Sequence, residues 1–174
     1  IASWEQTSTG LHINTNNAQL EATVYEAGIV RININQTTRN FTGHSYAVVA
    51  QPAAINFSVE EDETYLWLKT ELLHLQVEKA PLTVRFFTTN GQLINEDFAA
   101  FGTSWIGTEV TTYKTPQEGE RFVGLGEKNG NLDRRGSAYT NWNTDKFAYS
   151  VEDDPLYLST PFYMGVHSGL SYGI

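Results

Sequence analysis

Cysteine is absent from this chain of 174 residues. Its absence excludes disulfide bonds, thiolate metal sites and a cysteine nucleophile, but leaves the compartment open because many exported proteins also lack cysteine. Basic residues are scarce too: 11 Lys and Arg stand against 20 Asp and Glu, which gives a formal net charge of −9. Since no basic stripe could meet a phosphate backbone, nucleic acid is not predicted as a partner.

Long apolar runs are also missing. No stretch reaches the roughly 18 apolar residues that a membrane-spanning helix needs, and residues 1–5 have neither the basic start nor the apolar centre of a signal peptide. A membrane is therefore not predicted as a partner. Between the two compartments that remain, a bacterial cytoplasm is favoured over export.

Apolar residues instead recur with a period of two. The alternating runs are Leu20, Ala22 and Val24, then Val30, Ile32 and Ile34, then Leu73, Leu75 and Val77. Such alternation is typical of strands with one buried face, and helical spacing is almost absent. The sequence predicts an all-β fold, an antiparallel sandwich that forms a single domain over residues 1–174.

Two local predictions follow from turn and strand chemistry. Asn90-Gly91 lies between two β-rich runs and predicts the tip of a type I′ hairpin, because both residues tolerate positive φ. The runs 65–68 and 84–87 carry large residues on both faces, which predicts strands covered on two sides. The side chains expected to be buried are Leu66, Leu68, Leu75, Val77, Val84 and Phe86.

Glycines, aromatics, amides and carboxylates are concentrated in residues 121–165. Aromatic rings can stack on the C–H face of a sugar, while Asp, Asn and Arg supply hydrogen bonds to its hydroxyls. Most of this segment, residues 129–155, lacks strand periodicity and predicts a long loop of the kind that usually carries function. Gly124-Leu125-Gly126 lacks the third glycine of a dinucleotide motif and predicts a tight turn that ends a strand.

Several blocks in this half of the chain resemble the N-terminal β-sandwich domain, galactose mutarotase-like, of family 31 glycoside hydrolases, which include α-glucosidases and α-xylosidases. The blocks are FVGLGE at 122–127, LDRRG at 132–136, WNTD at 142–145 and PFYM at 161–164, preceded by residues 78–87 and Asn90-Gly91. Their order matches the family, and residues 1–77 are compatible with it.

The resemblance implies a role for Asp145. In the family, the aspartate of the W-N-x-D block lies on a loop over the active site and accepts hydrogen bonds from substrate hydroxyls, with Trp142, Asn143 and Thr144 as its neighbours. The spacing by itself favours an Asx turn or a cap made by Asp145, and the resemblance reverses that preference.

The other charged residues of the loop are assigned structural roles. Asp133, Arg134 and Arg135 are expected to support the loop through ion pairs and backbone contacts. Glu152-Asp153-Asp154 lacks the spaced ligands of a calcium loop and predicts a solvated acidic turn. The histidines, His12, His44, His74 and His167, are far apart in sequence, so neither a metal site nor a cofactor is predicted. Trp67 and Trp105 are either core residues or a surface platform for sugar.

The resemblance also implies what the chain does not do alone. A retaining glycosidase needs two carboxyl groups about 5–5.5 Å apart, and in the family both come from a (β/α)₈ barrel expected downstream. The chain is therefore interpreted as an accessory domain, inactive alone, whose partners are its own C-terminal catalytic barrel and an α-linked oligosaccharide or α-glycoside. The alternatives are a stand-alone carbohydrate-binding module, or an aldose epimerase-like enzyme with a His and Glu pair in one cleft.

Overall fold

The computed structural model describes residues 1–39, 45–52 and 54–174. These residues form fourteen strands and no helix, so none of them forms a helix that could cross a membrane. The chain divides into two compact units, residues 1–115 and 116–174. His44 lies outside the described residues.

The first unit contains the sandwich. Its four-stranded antiparallel sheet consists of β1 (Ser3–Gln6), β2 (Gly10–Asn14), β3 (Ala18–Glu26) and β4 (Ile29–Gln36), in that order. Its five-stranded antiparallel sheet consists of β5 (Ser58–Glu61), β6 (Tyr65–Lys69), β7 (His74–Lys79), β8 (Leu82–Phe87) and β9 (Leu93–Glu96). A separate hairpin pairs β10 (Thr103–Ile106) with β11 (Glu109–Thr112).

The inner faces of the two sheets form one hydrophobic core. The first sheet contributes Leu11, Ile13, Leu20, Ala22 and Val24, and the second contributes Leu66, Leu68, Leu75, Val77 and Val84. Burial of alternate residues along β3 and β6 follows from the pleat, which points successive side chains to opposite faces. The predicted antiparallel sandwich is confirmed. Five of the six side chains predicted to be buried in the second sheet are buried, and the sixth, Phe86, is half-exposed.

Strand β6 differs from the prediction in one respect. Its second face is only half-buried: Trp67 lies there among Tyr65, Phe87 and the ammonium of Lys69. Large aromatic residues on an outer face can shield one another, so their presence did not require a covering layer.

The hairpin between β8 and β9 has its tip at Asn90-Gly91, as predicted, but the type I′ prediction is wrong. Gly91 has φ of +84°, whereas Asn90 is not among the residues with positive φ. The Gly91 N–H donates to the Thr88 carbonyl at 3.0 Å, and the Thr88 N–H donates to the Gln92 carbonyl at 2.9 Å. Residues 88–92 thus form a hairpin loop that is longer than a two-residue type I′ turn. In this loop Asn90 has negative φ, and the glycine that follows it is left-handed.

The second unit contains a three-stranded antiparallel sheet of β12 (Arg121–Gly126), β13 (Ser159–His167) and β14 (Leu170–Gly173). The tight turn predicted to end this strand is wrong: Gly124-Leu125-Gly126 lies inside β12 as a β-bulge, where the register against β13 shifts and φ is +126° at Gly124 and +82° at Gly126. A Cβ at Gly126 would lie 2.7 Å from the Leu158 carbonyl oxygen and 2.7 Å from the Thr160 nitrogen. Glycine is required at Gly126 because the backbones of β12 and β13 approach so closely.

Candidate functional site

The candidate site is the loop that joins β12 to β13 in the second unit. Residues 127–158 contain neither strand nor helix, which agrees with the predicted long loop at 129–155. The loop nevertheless has a defined shape, because side chains within it bind backbone groups of residues distant in sequence. These contacts determine which side chains remain available to a ligand.

Asp145 is exposed on this loop while the backbone on either side of it is fixed. The Thr144 N–H donates to the Leu156 carbonyl at 2.8 Å, and the Lys146 carbonyl accepts from the Tyr157 hydroxyl at 2.6 Å. The Asp145 carboxylate makes no hydrogen bond or ion pair with any residue that the structure describes. It therefore does not cap the loop, and its oxygens are available to a ligand.

Two neighbours of Asp145 have different roles: Asn143 supports the loop, and Trp142 exposes its ring to solvent. The Asn143 side-chain oxygen accepts from the Ser159 N–H at 2.7 Å, which ties the W-N-x-D block to the start of β13. Trp142 is 71% exposed. Asn143, and not Asp145, is thus the residue of this block whose side chain binds the backbone, and the indole of Trp142 faces solvent.

Tyr157 is a further residue of this site, and the sequence reasoning missed it. Burial raises the pKa of its hydroxyl, and the nearby acidic groups of Asp145, Tyr149 and Glu127 raise it further, in that order. The hydroxyl therefore stays protonated and keeps its hydrogen bond to Lys146. Only the position of Asp145 in three dimensions reveals this role, since Tyr157 lies twelve residues away in sequence.

A buried lysine fastens the two ends of the loop. The side chain of Lys128 has no exposed area; its ammonium donates to the Thr140 carbonyl and pairs with an Asp154 carboxylate oxygen at 3.0 Å. The other Asp154 oxygen accepts from the Thr140 N–H. Burial acts to raise the pKa of Asp154, but the contacts to Thr140 and Lys128 outweigh it, and the pKa lies below its ordinary value.

The acidic run at residues 152–154 was predicted to be a solvated acidic turn, and this prediction holds only in part. Glu152 is exposed at a turn, as expected, but the carboxylates of Asp153 and Asp154 are not simply solvated. Asp153 accepts from the Ser150 N–H at 2.7 Å and pairs with Lys146 at 2.9 Å, and these contacts, with Ser150 the larger cause, hold its pKa below the ordinary value. Turn composition alone cannot show such partners, because both lie outside the acidic run.

Asp133 and Arg135 hold the first part of the loop. One Asp133 oxygen accepts from the Arg135 and Phe122 N–H groups, both at 3.1 Å, and these two bonds lower the pKa of Asp133. The Arg135 guanidinium donates to the Glu120 carbonyl at 2.7 Å.

Arg134 binds three carbonyls of the same segment. Its guanidinium donates to Asn129 at 3.0 Å, to Asn131 at 2.7 Å and to Lys128 at 3.4 Å, and lies 5.3 Å from the ring of Tyr139. Asp133, Arg134 and Arg135 thus make mainly backbone contacts, and their loop-support role stays a prediction.

A histidine and a glutamate do converge in this unit, outside the loop. The Nε2 atom of His167 lies 3.9 Å from the Oε1 atom of Glu120, and both side chains are almost fully buried. The same Glu120 oxygen accepts from the Tyr172 hydroxyl at 2.7 Å. Burial this deep leaves no access for a sugar. Among the described residues, no group of three His, Asp or Glu could hold a metal ion.

Two packed antiparallel sheets and the long loop that follows them define a galactose mutarotase-like β-sandwich domain. The chain belongs to the family described as the glycosyl hydrolase 31 N-terminal galactose mutarotase-like domain, whose sequence profile matches residues 19–174. The predicted family is therefore confirmed.

Relatives of this chain are much longer enzymes. It is 37% identical over 152 residues to alpha-glucosidase 2 of Bacillus thermoamyloliquefaciens, an alignment that covers 86% of this chain and 19% of that protein. A GH31 dextranase of Flavobacterium johnsoniae, solved with isomaltotriose, superposes with a TM-score of 0.87 at 32% identity, over 94% of this chain and 21% of that one. The fold is shared with a GH31 alpha-xylosidase of Xanthomonas citri at a TM-score of 0.75 and 18% identity, over 92% and 18% of the two chains. The chain spans about one fifth of the length of these relatives.

Proposed function

We propose that this chain is the accessory N-terminal domain of an α-glucosidase-like retaining glycoside hydrolase. In the whole protein it packs on the catalytic barrel and contributes a substrate-binding loop to the sugar pocket. The observation that carries the proposal is the exposed Asp145 carboxylate, whose backbone is fixed on both sides and whose oxygens have no partner among the described residues.

The chemistry of the loop suits an α-linked oligosaccharide or an α-glycoside. An ionised carboxylate accepts charge-assisted hydrogen bonds from sugar hydroxyls, which are stronger than bonds between neutral groups. The exposed ring of Trp142 offers an apolar face for the C–H side of a pyranose. A fixed backbone lowers the entropic cost of placing both groups at once.

An apolar face of the three-stranded sheet supports the packing role. Phe162, Met164 and Val166 alternate along β13 and so point to one face, where they are 49%, 39% and 40% exposed. Exposed apolar residues grouped on one sheet face mark an interaction surface. We infer that the catalytic barrel of the same protein covers this face.

The epimerase-like alternative is the less favoured one. It requires a histidine and a glutamate that a sugar can reach, and the pair found, His167 and Glu120, is buried. The Glu120 carboxylate already accepts hydrogen bonds from Tyr172 and from the Gln117 N–H. These contacts suit a structural pair that joins β13, β14 and the segment before β12.

The proposal is tested by assaying the isolated chain and the full-length protein with p-nitrophenyl α-glucoside. Full-length protein should release nitrophenol, and the isolated chain should match a heat-inactivated control, because it lacks the two barrel carboxylates that a retaining mechanism needs. Turnover by the isolated chain would overturn the accessory role. Full-length protein inactive on both α-glucosides and α-xylosides would overturn the parent activity.

A further inference from the structure

A groove in the first unit brings Trp105 together with uncharged polar side chains. Its volume is about 580 Å³, and it is lined by Trp105, the amides of Asn16, Asn17 and Gln36, and four threonine and serine hydroxyls. None of these residues is ionisable. The groove is wide and open, which suits a ligand that lies along the surface.

The groove is built from turns and strand ends of the sandwich. Asn16 and Asn17 form the turn between β2 and β3, and the Thr37 N–H just after β4 donates to the Asn17 carbonyl at 3.2 Å. The Thr15 hydroxyl donates to the Ala18 carbonyl at 2.9 Å and accepts from the Asn17 backbone N–H at 3.4 Å. Asn17 is thereby held in place, and its amide N–H groups remain available as donors.

Three other polar side chains of the groove are available too, whereas the Thr103 hydroxyl is hydrogen-bonded to that of Thr112 at 3.1 Å. Those of Asn16, Gln36 and Ser104 make no hydrogen bond with residues of the described ranges. Each amide supplies both a donor and an acceptor, and the hydroxyl does the same. A ligand with hydroxyls, which also donate and accept, matches this set better than a ligand with acceptors alone.

A smaller hollow adjoins the groove. It has a volume of about 190 Å³, shares Asn17, Thr103 and Trp105 with the groove, and is completed mainly by apolar residues, Phe101 and Leu82 among them. It also contains no ionisable residue. Trp105 therefore lines both hollows, an arrangement suited to a ligand longer than one ring.

We propose that this groove is a second carbohydrate site, which binds a neutral α-linked glucan segment against Trp105. Pyranose rings present an apolar C–H face to an indole and hydroxyls to surrounding amides, which is the combination found here. An anionic ligand would find no cation among the lining residues. The neutral saccharide class rests on the groove alone, and the choice of an α-linkage rests on the proposed function.

A site of this kind would hold a polymeric substrate on the enzyme between catalytic events. A chain bound at two places dissociates more slowly than one bound at a single place, because the second contact forms at a high effective concentration. The groove would then lower the KM for long glucans and leave short glycosides unaffected.

The direct test is a titration of the ¹⁵N-labelled chain with maltoheptaose, isomaltoheptaose and cellohexaose, followed by NMR. We expect saturable shifts at the Trp105 indole N–H and at the side-chain amides of Asn16, Asn17 and Gln36, with the α-linked probes. No saturable shift at millimolar concentration, or shifts confined to the loop around Trp142, would overturn the groove. Stronger binding of cellohexaose would overturn the α-linkage.

Matched variants separate the groove from the rest of the surface. Trp105→Ala should raise the Kd by about tenfold, since it removes a stacking surface. Gln36→Ala leaves the Trp105 ring in place but removes a hydrogen-bonding amide, and should raise the Kd by roughly threefold to tenfold. Ile106→Ala removes an 82% exposed apolar side chain from the same hairpin without touching the groove, and should leave the Kd unchanged. Unchanged affinity in both groove variants would overturn the site. Groove binding combined with an inactive full-length protein would overturn the proposed function only.

Discussion

The hydroxyl of Tyr157 donates a 2.6 Å hydrogen bond to the carbonyl oxygen of Lys146, the residue that follows Asp145. This bond fixes the peptide on one side of the candidate carboxylate, as the Thr144 N–H does on the other. The position of Asp145 thus depends on a side chain that itself need not touch a sugar.

Tyr157→Phe should therefore impair the full-length enzyme without unfolding the loop. The ring remains, the bond to Lys146 is lost, and Asp145 becomes less well positioned. We expect kcat/KM for α-glucosides to fall by less than in Asp145→Asn. Tyr149→Phe is the matched control, since it removes a hydroxyl from the ring that packs edge-on against Tyr157 at 6.1 Å. Equal kcat/KM in wild type and Tyr157→Phe would show that Asp145 needs no such support.

Lys128→Met should destabilise the loop. The substitution keeps an apolar side chain in a buried place but removes the donor to Thr140 and leaves Asp154 without its ion pair. Loss of such bonds costs about 1–3 kcal/mol, to be measured by denaturant unfolding and by faster hydrogen exchange at the Thr140 amide. Lys146→Met, which removes a half-exposed partner of Asp153, should change the stability much less. Equal effects of the two substitutions would contradict the role given to Lys128.

Gly165→Ala should weaken the three-stranded sheet. A Cβ at Gly165 would lie 2.3–2.5 Å from the Tyr172 ring and hydroxyl, so the ring must move and its bond to Glu120 must break. Overpacking of this kind costs about 1–3 kcal/mol. Gly28→Ala, where the nearest atom is Leu72 Cδ1 at 3.9 Å, should be close to neutral. Additive effects of Gly165→Ala and Tyr172→Ala in a double-mutant cycle would exclude the ring as the cause.

The loop should loosen at acid pH. Asp133, Asp153 and Asp154 all have a folded-state pKa below the ordinary value. Their contribution to stability is therefore present above the unfolded-state value of about 3.9 and is lost as the pH falls through the folded-state values. Fluorescence of the exposed Trp142, followed from pH 7 downward, should report the change, and Asp154→Asn should reduce its pH dependence. A transition that begins well above pH 5 would indicate a different titrating group.

The sequence predicts the sandwich well because its signal is local and repeated. Alternation at Leu66, Leu68, Leu75 and Val77 requires only the two-residue period of a strand with one buried face. The hairpin tip at Asn90-Gly91 is also local, but its turn type depends on the register of β8 against β9, which the dipeptide does not contain.

The candidate site is less predictable, because the contacts that shape it are not local in the sequence. The W-N-x-D block identifies Asp145 by resemblance, whereas its supports come from elsewhere in the chain. Lys128 reaches Asp154 across 26 residues, and Tyr157 reaches Lys146 across 11. Hydropathy cannot reveal a buried lysine at position 128, because its burial depends on partners that folding brings to it.

Steady-state kinetics of Asp145→Asn in the full-length protein test the central claim most directly. The change is nearly isosteric but removes the charge that strengthens bonds to sugar hydroxyls. We expect kcat/KM for α-glucosides to fall by roughly tenfold to a hundredfold, equivalent to about 1.5–3 kcal/mol, with an unchanged thermal midpoint. Glu152→Gln, which removes another exposed charge from the same loop, should leave kcat/KM unaltered. Wild-type kcat/KM in Asp145→Asn, across short and long α-glucosides, would contradict the assignment of this loop to the sugar pocket.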